Sequence, residues 1–275
     1  MRRNDRPVIA GTATSAYDPK AIAVHKGVPI VRRFILVAAV FAALSAATAS
    51  SALASHSWGG YHWARAANPF TVPLGDSVTN TAYSNWDGAL AGASADWSLS
   101  SVLDSPIVTQ GGNARSCKAT AGRDHVCNAT YGINGWLGLA QIWLSGSHIV
   151  KATAKMNDSY FNSSSYSYTN ERQVMCQEVG HGYGLAHQDE SGADLNTCMD
   201  YSTALDNPSP NAHDYEELET IYNSHFDSGA SPTFAPASRT PVRVTRNDTL
   251  GSSHIVAYYR HGYQVHTFIT WALGS

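Results

Sequence analysis

The stretch "CQEVGHGYGLAHQD", residues 176–189, decides the expected fold, because a glutamine, a glutamate and a histidine stand at helical spacing within it. Positions four apart lie on one face of a helix, so Gln177 and His181 are predicted to point toward a common atom. Glu178 is next to Gln177 in the chain. The pattern therefore predicts a helix that presents three polar side chains to one site.

A second histidine reaches the same site only if this helix breaks. In a continuous helix His187 would lie about 15 Å along the axis from Gln177. Gly184 stands between them, and glycine adopts the positive φ of a sharp reversal at little cost. We therefore predict that the chain turns back at Gly184 and brings His187 toward His181.

The chemistry of these side chains indicates a metal centre. Gln177, His181 and His187 are neutral ligands, so a divalent cation bound by them keeps its double charge and lowers the pKa of bound water to roughly 7. Glu178 is placed to accept a proton from that water and to pass it to a leaving group. Amide oxygen is a weaker donor for zinc than imidazole nitrogen, so we expect Zn²⁺, with another divalent metal as the alternative.

Two acids follow the second histidine closely. Asp189 and Glu190 are near enough in the chain to supply a fourth ligand or to contact the ligands. Acids at such a bend are also common as solvated turn residues, and the sequence leaves both interpretations open. A negatively charged ligand would make the bound water less acidic.

A methionine twelve residues after His187 extends the pattern, within "CMDYS" at 198–202. With it the sequence resembles the metzincin superfamily of zinc endopeptidases, whose pattern HExxHxxGxxH precedes a turn with a methionine beneath the metal. Five positions match: Glu178, His181, Gly184, His187 and Met199. The departure is Gln177. The variant QExxHxxGxxH is similar to that of the gametolysin group, and the matrixins are the other metzincin group that the sequence resembles.

The resemblance covers about residues 78–225 and implies a role for each matching residue. His181 and His187 would be metal ligands, Glu178 the general base and Met199 the hydrophobic floor of the site. The implied fold is α/β (α+β), with a twisted mixed sheet, an active-site helix and a methionine turn. An extended peptide is expected to add to the edge strand beside the cleft.

The composition limits the partners. The chain has 275 residues, of which 43% are hydrophobic and 14% charged, with a formal net charge of -3. This is enough apolar material for one core of ordinary size. Because there is no basic excess, we expect neither nucleic acid nor an anionic membrane as a partner. We expect a monomer that acts on a protein or peptide substrate.

Residues 32–54 have the order of a secretory signal peptide. Arg33 and the arginine before it precede the apolar run 34–44, and small residues follow up to Ala54. A membrane anchor is the alternative, but this run is much shorter than the about 20 residues that a spanning helix needs. We expect cleavage after Ala54 and a secreted, extracellular protein without a membrane anchor. Whether residues 1–30 are translated stays open.

All four cysteines follow the expected cleavage site, and an even number in an exported protein predicts two disulfides. Three pairings are open, and free buried thiols are the other alternative. We favour Cys117–Cys127 with Cys176–Cys198, which close the shortest loops. Cys176 directly precedes the motif and Cys198 directly precedes Met199, so a bridge between them would clamp the metal helix to its floor.

Periodicity predicts the elements around the motif. Apolar residues at steps of three and four predict a helix over 76–104. Residues 107–110 and 135–157 are predicted strands, the second range with a turn at 145–147.

Helix-start signals and a second apolar period complete the expected secondary structure. The metal helix is predicted to start at Asn170, with Gln173 completing a capping box. Residues 213–222 predict a further amphipathic helix, and the tail 242–275 alternates as a β-hairpin does.

The chain is expected to divide into four segments. They are an N-terminal extension with the signal peptide, a metzincin-like metallopeptidase domain, a linker rich in Ser, Pro, Ala and Thr, and a C-terminal β-hairpin extension: 1–54, 55–227, 228–241 and 242–275.

The favoured function is a zinc-dependent metalloendopeptidase. The alternative is a catalytically inactive binding protein that keeps the metzincin fold. Glu178 favours the enzyme, because a scaffold has no need of a base. A third hypothesis is an adhesive protein that binds through residues 242–275.

Overall fold

The structure of the chain is a computed structural model. It describes the following residues: 55–189, 191–200, 202, 204–228, 232–249 and 252–272. The expected signal peptide, residues 1–54, lies outside the described residues. Among those described, no helix is long and apolar enough to cross a membrane.

The described part of the chain has a mixed α+β fold with eleven strands. The strands are β1 His62–Trp63, β2 Phe70–Thr71, β3 Leu74–Ser77, β4 Leu103–Asp104, β5 Ile107–Thr109, β6 Asp124–Ala129, β7 Trp136–Ser145, β8 His148–Asn157, β9 Arg243–Thr249, β10 Ser252–Tyr258 and β11 Tyr263–Trp271. The helices are α1 Trp86–Trp97, α2 Asp158–Phe161, α3 Tyr168–Gly182 and α4 Ala212–Asn223.

Nine of these strands form one sheet, in the order β5-β3-β6-β8-β7-β11-β10-β9, with β1 also paired to β8. Strands β5, β3, β6 and β8 are parallel, whereas β7 is antiparallel to β8. Strands β11, β10 and β9 continue the sheet in antiparallel pairs. The remaining pair, β2 and β4, is parallel.

The two long strands expected within 135–157 are β7 and β8, and their connection turns at Gly146, which has a φ of +64°. Alternate residues of β7 are buried, as expected for a strand with one face on the core. The central position of β8, with β6 on one side and β7 on the other, makes it the strand on which the parallel and antiparallel halves meet.

The helix expected over 76–104 is shorter than its apolar period indicated. Asn85 caps α1 by accepting from Gly88 N, so the helix begins at Trp86. Residues 74–77 and 103–104 are strands instead. The apolar period selected six residues, and five of them are the buried residues of α1: Trp86, Ala89, Leu90, Ala93 and Trp97. The sixth, Ala82, precedes the helix and is exposed.

The start of α3 was also predicted wrongly. Ser167 is the N-cap, and Asn170 is the third helical residue of the capping box. The side chain of Asn170 accepts from Ser167 N at 2.7 Å and donates to Leu205 O at 2.6 Å. Asn170 therefore lies within the first turn, three residues beyond the true cap.

A buried tryptophan fixes α3 against α1. Trp97 is fully buried, and its Nε1 donates to Cys176 O at 3.1 Å. Its ring also lies edge-on to Tyr183, with centroids 5.6 Å apart. A buried indole that satisfies its N–H in this way combines a large apolar contact with a directional one. These contacts with Trp97 therefore fix the C-terminal half of α3 without the help of a metal ion.

The structure contains two disulfides, Cys117–Cys127 and Cys176–Cys198. These are the pairs that close the shortest loops. The second joins α3 to the segment that carries Met199.

The tail forms three strands where a hairpin was expected. Strand β11 pairs antiparallel with β7, with Phe268 opposite Ala140 and Thr270 opposite Gly138. The long strand β7 is therefore an interior strand of the sheet, with β8 on one side and β11 on the other. The described residues from 55 to 272 belong to one compact unit.

Candidate metal centre

The C-terminal half of α3 carries three of the expected site residues, Gln177, Glu178 and His181, and all three are buried. The helix ends at Gly182, and the N–H groups of Tyr183 and Gly184 donate to Gly180 O and His181 O. These short-range bonds close the last turn before the chain reverses.

The reversal depends on Gly184, which has a φ of +94°. A Cβ at this position would clash with the carbonyl oxygen of Tyr61. Trp58 N donates to Gly184 O at 3.1 Å, so the segment before β1 holds the turn from outside. Both the positive φ and the close backbone approach require glycine.

The reversal brings the two histidines together. The Nε2 atoms of His181 and His187 lie 3.1 Å apart, with the rings nearly perpendicular at 88°. Two ligands of a tetrahedral zinc ion with Zn–N bonds of about 2.0–2.1 Å lie about 3.3 Å apart. The pair therefore has the separation that one shared cation requires.

Hydrogen bonding and burial leave both imidazoles ready to bind a cation. His181 Nδ1 lies 2.9 Å from Leu185 O, so it carries the proton and leaves the lone pair on Nε2. Burial lowers the pKa of His181 to about 3. Burial, with the neighbouring imidazoles, also lowers the pKa of His187 well below its ordinary value. Both rings are neutral at physiological pH, which is the form that coordinates a metal.

The amide of Gln177 is oriented by its neighbours. Its Nε2 donates to Asp200 O at 3.0 Å, which turns Oε1 to the opposite side. Oε1 accepts from Thr270 Oγ1 at 2.7 Å. The donor end of the amide is thus used by the backbone, and the oxygen, the end that can bind a cation, faces the Thr270 hydroxyl.

The carboxyl group of Glu178 shares the same hydroxyl. Thr270 Oγ1 lies 2.6 Å from Glu178 Oε1. One hydroxyl proton serves either Gln177 or Glu178, so the second hydrogen bond needs a proton on the carboxyl group. Burial raises the pKa of Glu178 to about 8, against the opposing effect of the Thr270 hydrogen bond. Among the described residues, Glu178 Oε2 is buried without a hydrogen-bond partner.

Met199 lies beneath α3. A Cβ on Gly180 would clash with its sulfur or with the Trp97 ring, so Gly180 is the point where the helix approaches both. Met199 O accepts from Gln188 N at 2.7 Å, which ties its turn to the residue after His187. Together with the Cys176–Cys198 bridge, these contacts connect α3, the turn after it and the segment that carries Met199.

The two acids after His187 have different outcomes. Asp189 is partly exposed, and its Oδ2 accepts from Ser191 N, Ser191 Oγ and Ala193 N. These hydrogen bonds lower the pKa of its carboxyl group and mark it as a turn residue. Glu190 lies outside the described residues.

Four residues at the site carry no motif and were missed in the sequence. Gly138 on β7 approaches so closely that a Cβ would clash with Glu178 Oε1. Asp124 on β6 is fully buried, and burial raises the pKa of its carboxyl group well above its ordinary value. Phe268 and Thr270 come from β11, about 90 residues beyond the helix. The alternation in 242–275 was the one signal for these two, and it did not reveal which strand they would join.

An edge strand beside the site was expected to receive a peptide, but β7, the strand that lies against Glu178, is paired with β11 along that edge. Phe268 stacks on His181, with centroids 4.4 Å apart and planes 15° apart. His254 on β10 also stacks on Phe268, and the centroids of these two rings are 4.7 Å apart. The C-terminal strands therefore cover this side of the site, where an open cleft was expected.

No protein-family model matches the sequence, and no curated protein matches it. The solved structures that are similar include high choriolytic enzyme 1, a hatching enzyme zinc-protease from the medaka fish Oryzias latipes. The two chains are 9% identical with a TM-score of 0.34, and the match covers 61% of this chain and 98% of the other. A likeness of this size assigns neither a family nor an activity.

Proposed function

We propose that the protein is a secreted, zinc-dependent endopeptidase of the metzincin type. In this proposal Gln177, His181 and His187 hold the metal and Glu178 is the general base. The observation that carries it is the approach of the His181 and His187 Nε2 atoms to 3.1 Å, beside a buried glutamate on the same helix. A purely structural pair of histidines would not need the buried carboxyl group of Glu178 beside it, since burying such a group costs stability.

The donor set supports a divalent cation. Two neutral imidazoles and one amide oxygen leave a fourth position for water or for substrate. When bound there, zinc supplies Lewis acidity toward a carbonyl group and toward water. Replacement of imidazole by the harder amide oxygen of Gln177 favours a looser site than three histidines would give, and other divalent metals are the alternative.

The residues of the chain supply the remaining steps. In its ionised form, Glu178 accepts a proton from the attacking water and donates it to the nitrogen of the leaving amine. The side chain of Gly138 is a hydrogen, which leaves room for the carboxyl group of Glu178 beside β7. An extended peptide pairs with the edge of β7 once β11 has left it, since main-chain hydrogen bonds give such binding its affinity.

The four-segment division forms part of this proposal. Residues 1–54 direct export, 55–227 hold the metallopeptidase domain, 228–241 are a linker, and 242–275 are a C-terminal β extension. The cleaved protein is extracellular and monomeric.

The second hypothesis is a catalytically inactive binding protein. The observation in its favour is that β11 occupies the edge of β7 and that Thr270 bridges Gln177 and Glu178. The retained base favours the enzyme over this alternative.

Proteolysis of casein by the purified, zinc-loaded protein tests the proposal. The assay uses the intact chain and the variant Phe268→Ala/Thr270→Val, in which β11 is loosened. We expect cleavage by the loosened protein, loss of cleavage with chelator and recovery with added zinc. If neither protein cleaves with zinc bound, the endopeptidase proposal is wrong and the binding protein is favoured.

A further inference from the structure

A second group of metal-ligating side chains lies where β1 meets β8. It consists of His62, His148, His225 and Asp227, named here the β1–β8 cluster. His62 is paired with His148 across the two strands, and His225 and Asp227 follow the end of α4. Three separate parts of the chain therefore meet at one point.

The ligand atoms of this cluster converge. The Nε2 atoms of His62 and His225 lie 3.2 Å apart. Asp227 Oδ1 lies 2.8 Å from His148 Nε2, 3.6 Å from His225 Nε2 and 3.9 Å from His62 Nε2. These separations bracket the about 3.3 Å between ligands of a tetrahedral zinc ion. The His62 ring is nearly perpendicular to those of His148 and His225, at 72° and 84°.

Two side chains of the cluster use their other polar atom in a hydrogen bond outside it. His62 Nδ1 lies 2.8 Å from Gly60 O and carries the proton there, so the lone pair of Nε2 faces the cluster. Asp227 Oδ2 accepts from Arg65 N at 3.1 Å, which leaves Oδ1 for the histidines. Metal-binding histidines and carboxylates are held by outer hydrogen bonds in this way.

We propose that the β1–β8 cluster is a structural zinc site with a His₃Asp ligand set. Four protein ligands close the coordination sphere of zinc and leave no position for water, so the site would stabilise the fold and not catalyse a reaction. The competing explanation is a hydrogen-bond network, in which His148 and His225 donate protons to Asp227 and His62.

The position of the cluster suggests what the ion stabilises. The neighbour of His62, Trp63, donates from Nε1 to Gly182 O at 2.9 Å, at the end of α3. Tyr61, on the other side, contacts the turn at Gly184 through its carbonyl oxygen. Zinc at the cluster would therefore anchor β1 and, through it, the reversal that positions His187.

Zinc titration of the full chain tests this site. The chain is stripped with chelator, titrated with ZnCl₂ in competition with a chelating dye, and monitored by thermal unfolding. We expect two zinc equivalents in the wild type and one in His148→Ala/His225→Ala, with a smaller zinc-induced rise in Tm. His187→Ala should lose the other equivalent. The matched control, His261→Ala, removes an exposed histidine and should keep both.

A conservative variant guards against a folding defect. Asp227→Asn removes the anionic ligand but keeps the shape of the side chain. It should weaken the affinity of the β1–β8 cluster for zinc by about tenfold or more. The proposal is overturned if the titration stoichiometry and the zinc-induced Tm rise of Asp227→Asn and of the double variant equal those of the wild type.

A separate observation concerns β11, which covers the edge of β7 from Tyr263, opposite Ser145, to Trp271, opposite Trp136. Its side chains also reach the metal centre. The Phe268 ring covers His181, and the Thr270 hydroxyl lies within hydrogen-bonding distance of both Gln177 Oε1 and Glu178 Oε1. Strand β11 thus occupies the edge of β7, where a peptide would pair, and also contacts Glu178, the proposed base.

We infer that β11 is an internal blocking strand that keeps the enzyme latent, an inference that rests on the proposed function. Its main-chain pairing uses the donors and acceptors that a substrate would need, so substrate binds only to the fraction of molecules in which β11 is displaced. An open state populated at about 0.1–10% would lower the apparent activity to about that fraction of the activity of the open form.

Two variants of the full chain test the blocking role. Phe268→Ala/Thr270→Val removes the contacts to His181, Gln177 and Glu178, and we expect it to cleave casein about tenfold faster or more. Gln141→Cys/Thr267→Cys places a disulfide between opposed residues of β7 and β11. It should be inactive until mild reduction, whereas the wild type should not respond to the same reductant.

The outcomes separate this inference from the proposed function. Equal cleavage rates in the wild type, the loosened variant and the locked variant overturn the blocking role and leave the endopeptidase standing. Absence of cleavage by every variant with zinc bound overturns the endopeptidase and the blocking role together. A locked variant that cleaves before reduction also contradicts the inference.

Discussion

The Nε2 atoms of His181 and His187 face each other at 3.1 Å because the chain reverses at Gly184 directly after α3. His181 is fixed by the helix and by its hydrogen bond to Leu185 O. His187 depends on the turn. The approach of the two imidazoles is therefore controlled by a residue that is not itself one of the proposed metal ligands.

Gly184→Ala should disrupt this centre. Its φ of +94° and the Cβ clash with Tyr61 O would cost about 1–3 kcal/mol or shift the turn. We expect weaker zinc binding, measured by competition with a chelating dye. Gly111→Ala is the control, since a Cβ there meets no atom within 4 Å. Equal zinc affinity in both variants and the wild type would show that the turn does not position His187.

Gln177 can be tested from both directions. Gln177→His should tighten zinc binding, because imidazole nitrogen is a better zinc donor than amide oxygen. Gln177→Ala should weaken it. The measurement is the dissociation constant for zinc at a fixed pH. If neither substitution changes this constant, Gln177 is not a ligand.

Asp124 should make stability depend on pH. Burial raises the pKa of its carboxyl group in the folded protein, and among the described residues neither of its oxygens has a hydrogen-bond partner. Above the unfolded pKa of about 3.9 the folded state therefore pays an increasing penalty, until the folded pKa is passed. Below about 3.9 the carboxyl group is neutral in both states and the penalty disappears.

Asp124→Asn should consequently raise Tm at pH 8 and leave it nearly unchanged at pH 3. In a domain of this size about 1 kcal/mol shifts Tm by about 2–4 °C. Thermal unfolding of both proteins across this pH range measures the difference. A Tm difference that is constant with pH would mean that ionisation of Asp124 is not the cause.

The two disulfides should differ in their effect on the metal centre. Cys176→Ser/Cys198→Ser should lower the free energy of unfolding by about 3 kcal/mol, given a closed loop of this length. It should also weaken zinc binding, since the bridge joins α3 to the Met199 turn. Cys117→Ser/Cys127→Ser should lower stability without that loss of affinity. The account of the clamp fails if both variants bind zinc equally well.

The sequence predicted the convergence of His181 and His187 because its signals are local. Helical spacing places Gln177 and His181 on one face, and Gly184 is the residue that a left-handed turn needs. The helix boundaries were less well predicted. Residues 76–104 have apolar residues at helical spacing, but Asn85 caps the N-terminus, so the helix begins only at Trp86. The strand Leu74–Ser77 is stabilised by pairing with β5 and β6, which no local pattern records.

The contribution of the C-terminal strands could not be predicted from the sequence. Alternation identifies a strand but not its partner, because pairing depends on which edge the fold leaves open. Phe268 and Thr270 thus looked like ordinary strand residues, although they contact His181, Gln177 and Glu178. The β1–β8 cluster was missed for the same reason: its side chains are distributed over residues 62–227 without a recognisable spacing.

The most direct test of the account is the rate of peptide cleavage by Glu178→Gln in the loosened Phe268→Ala/Thr270→Val chain. Zinc content should stay the same, while kcat/KM for a casein-derived peptide should fall by about 10²–10⁴-fold, because the general base is lost. Glu216→Gln, on the exposed face of α4, is the matched control and should cleave normally. Cleavage by Glu178→Gln at the rate of its parent chain, with zinc bound, would contradict the proposed hydrolytic mechanism.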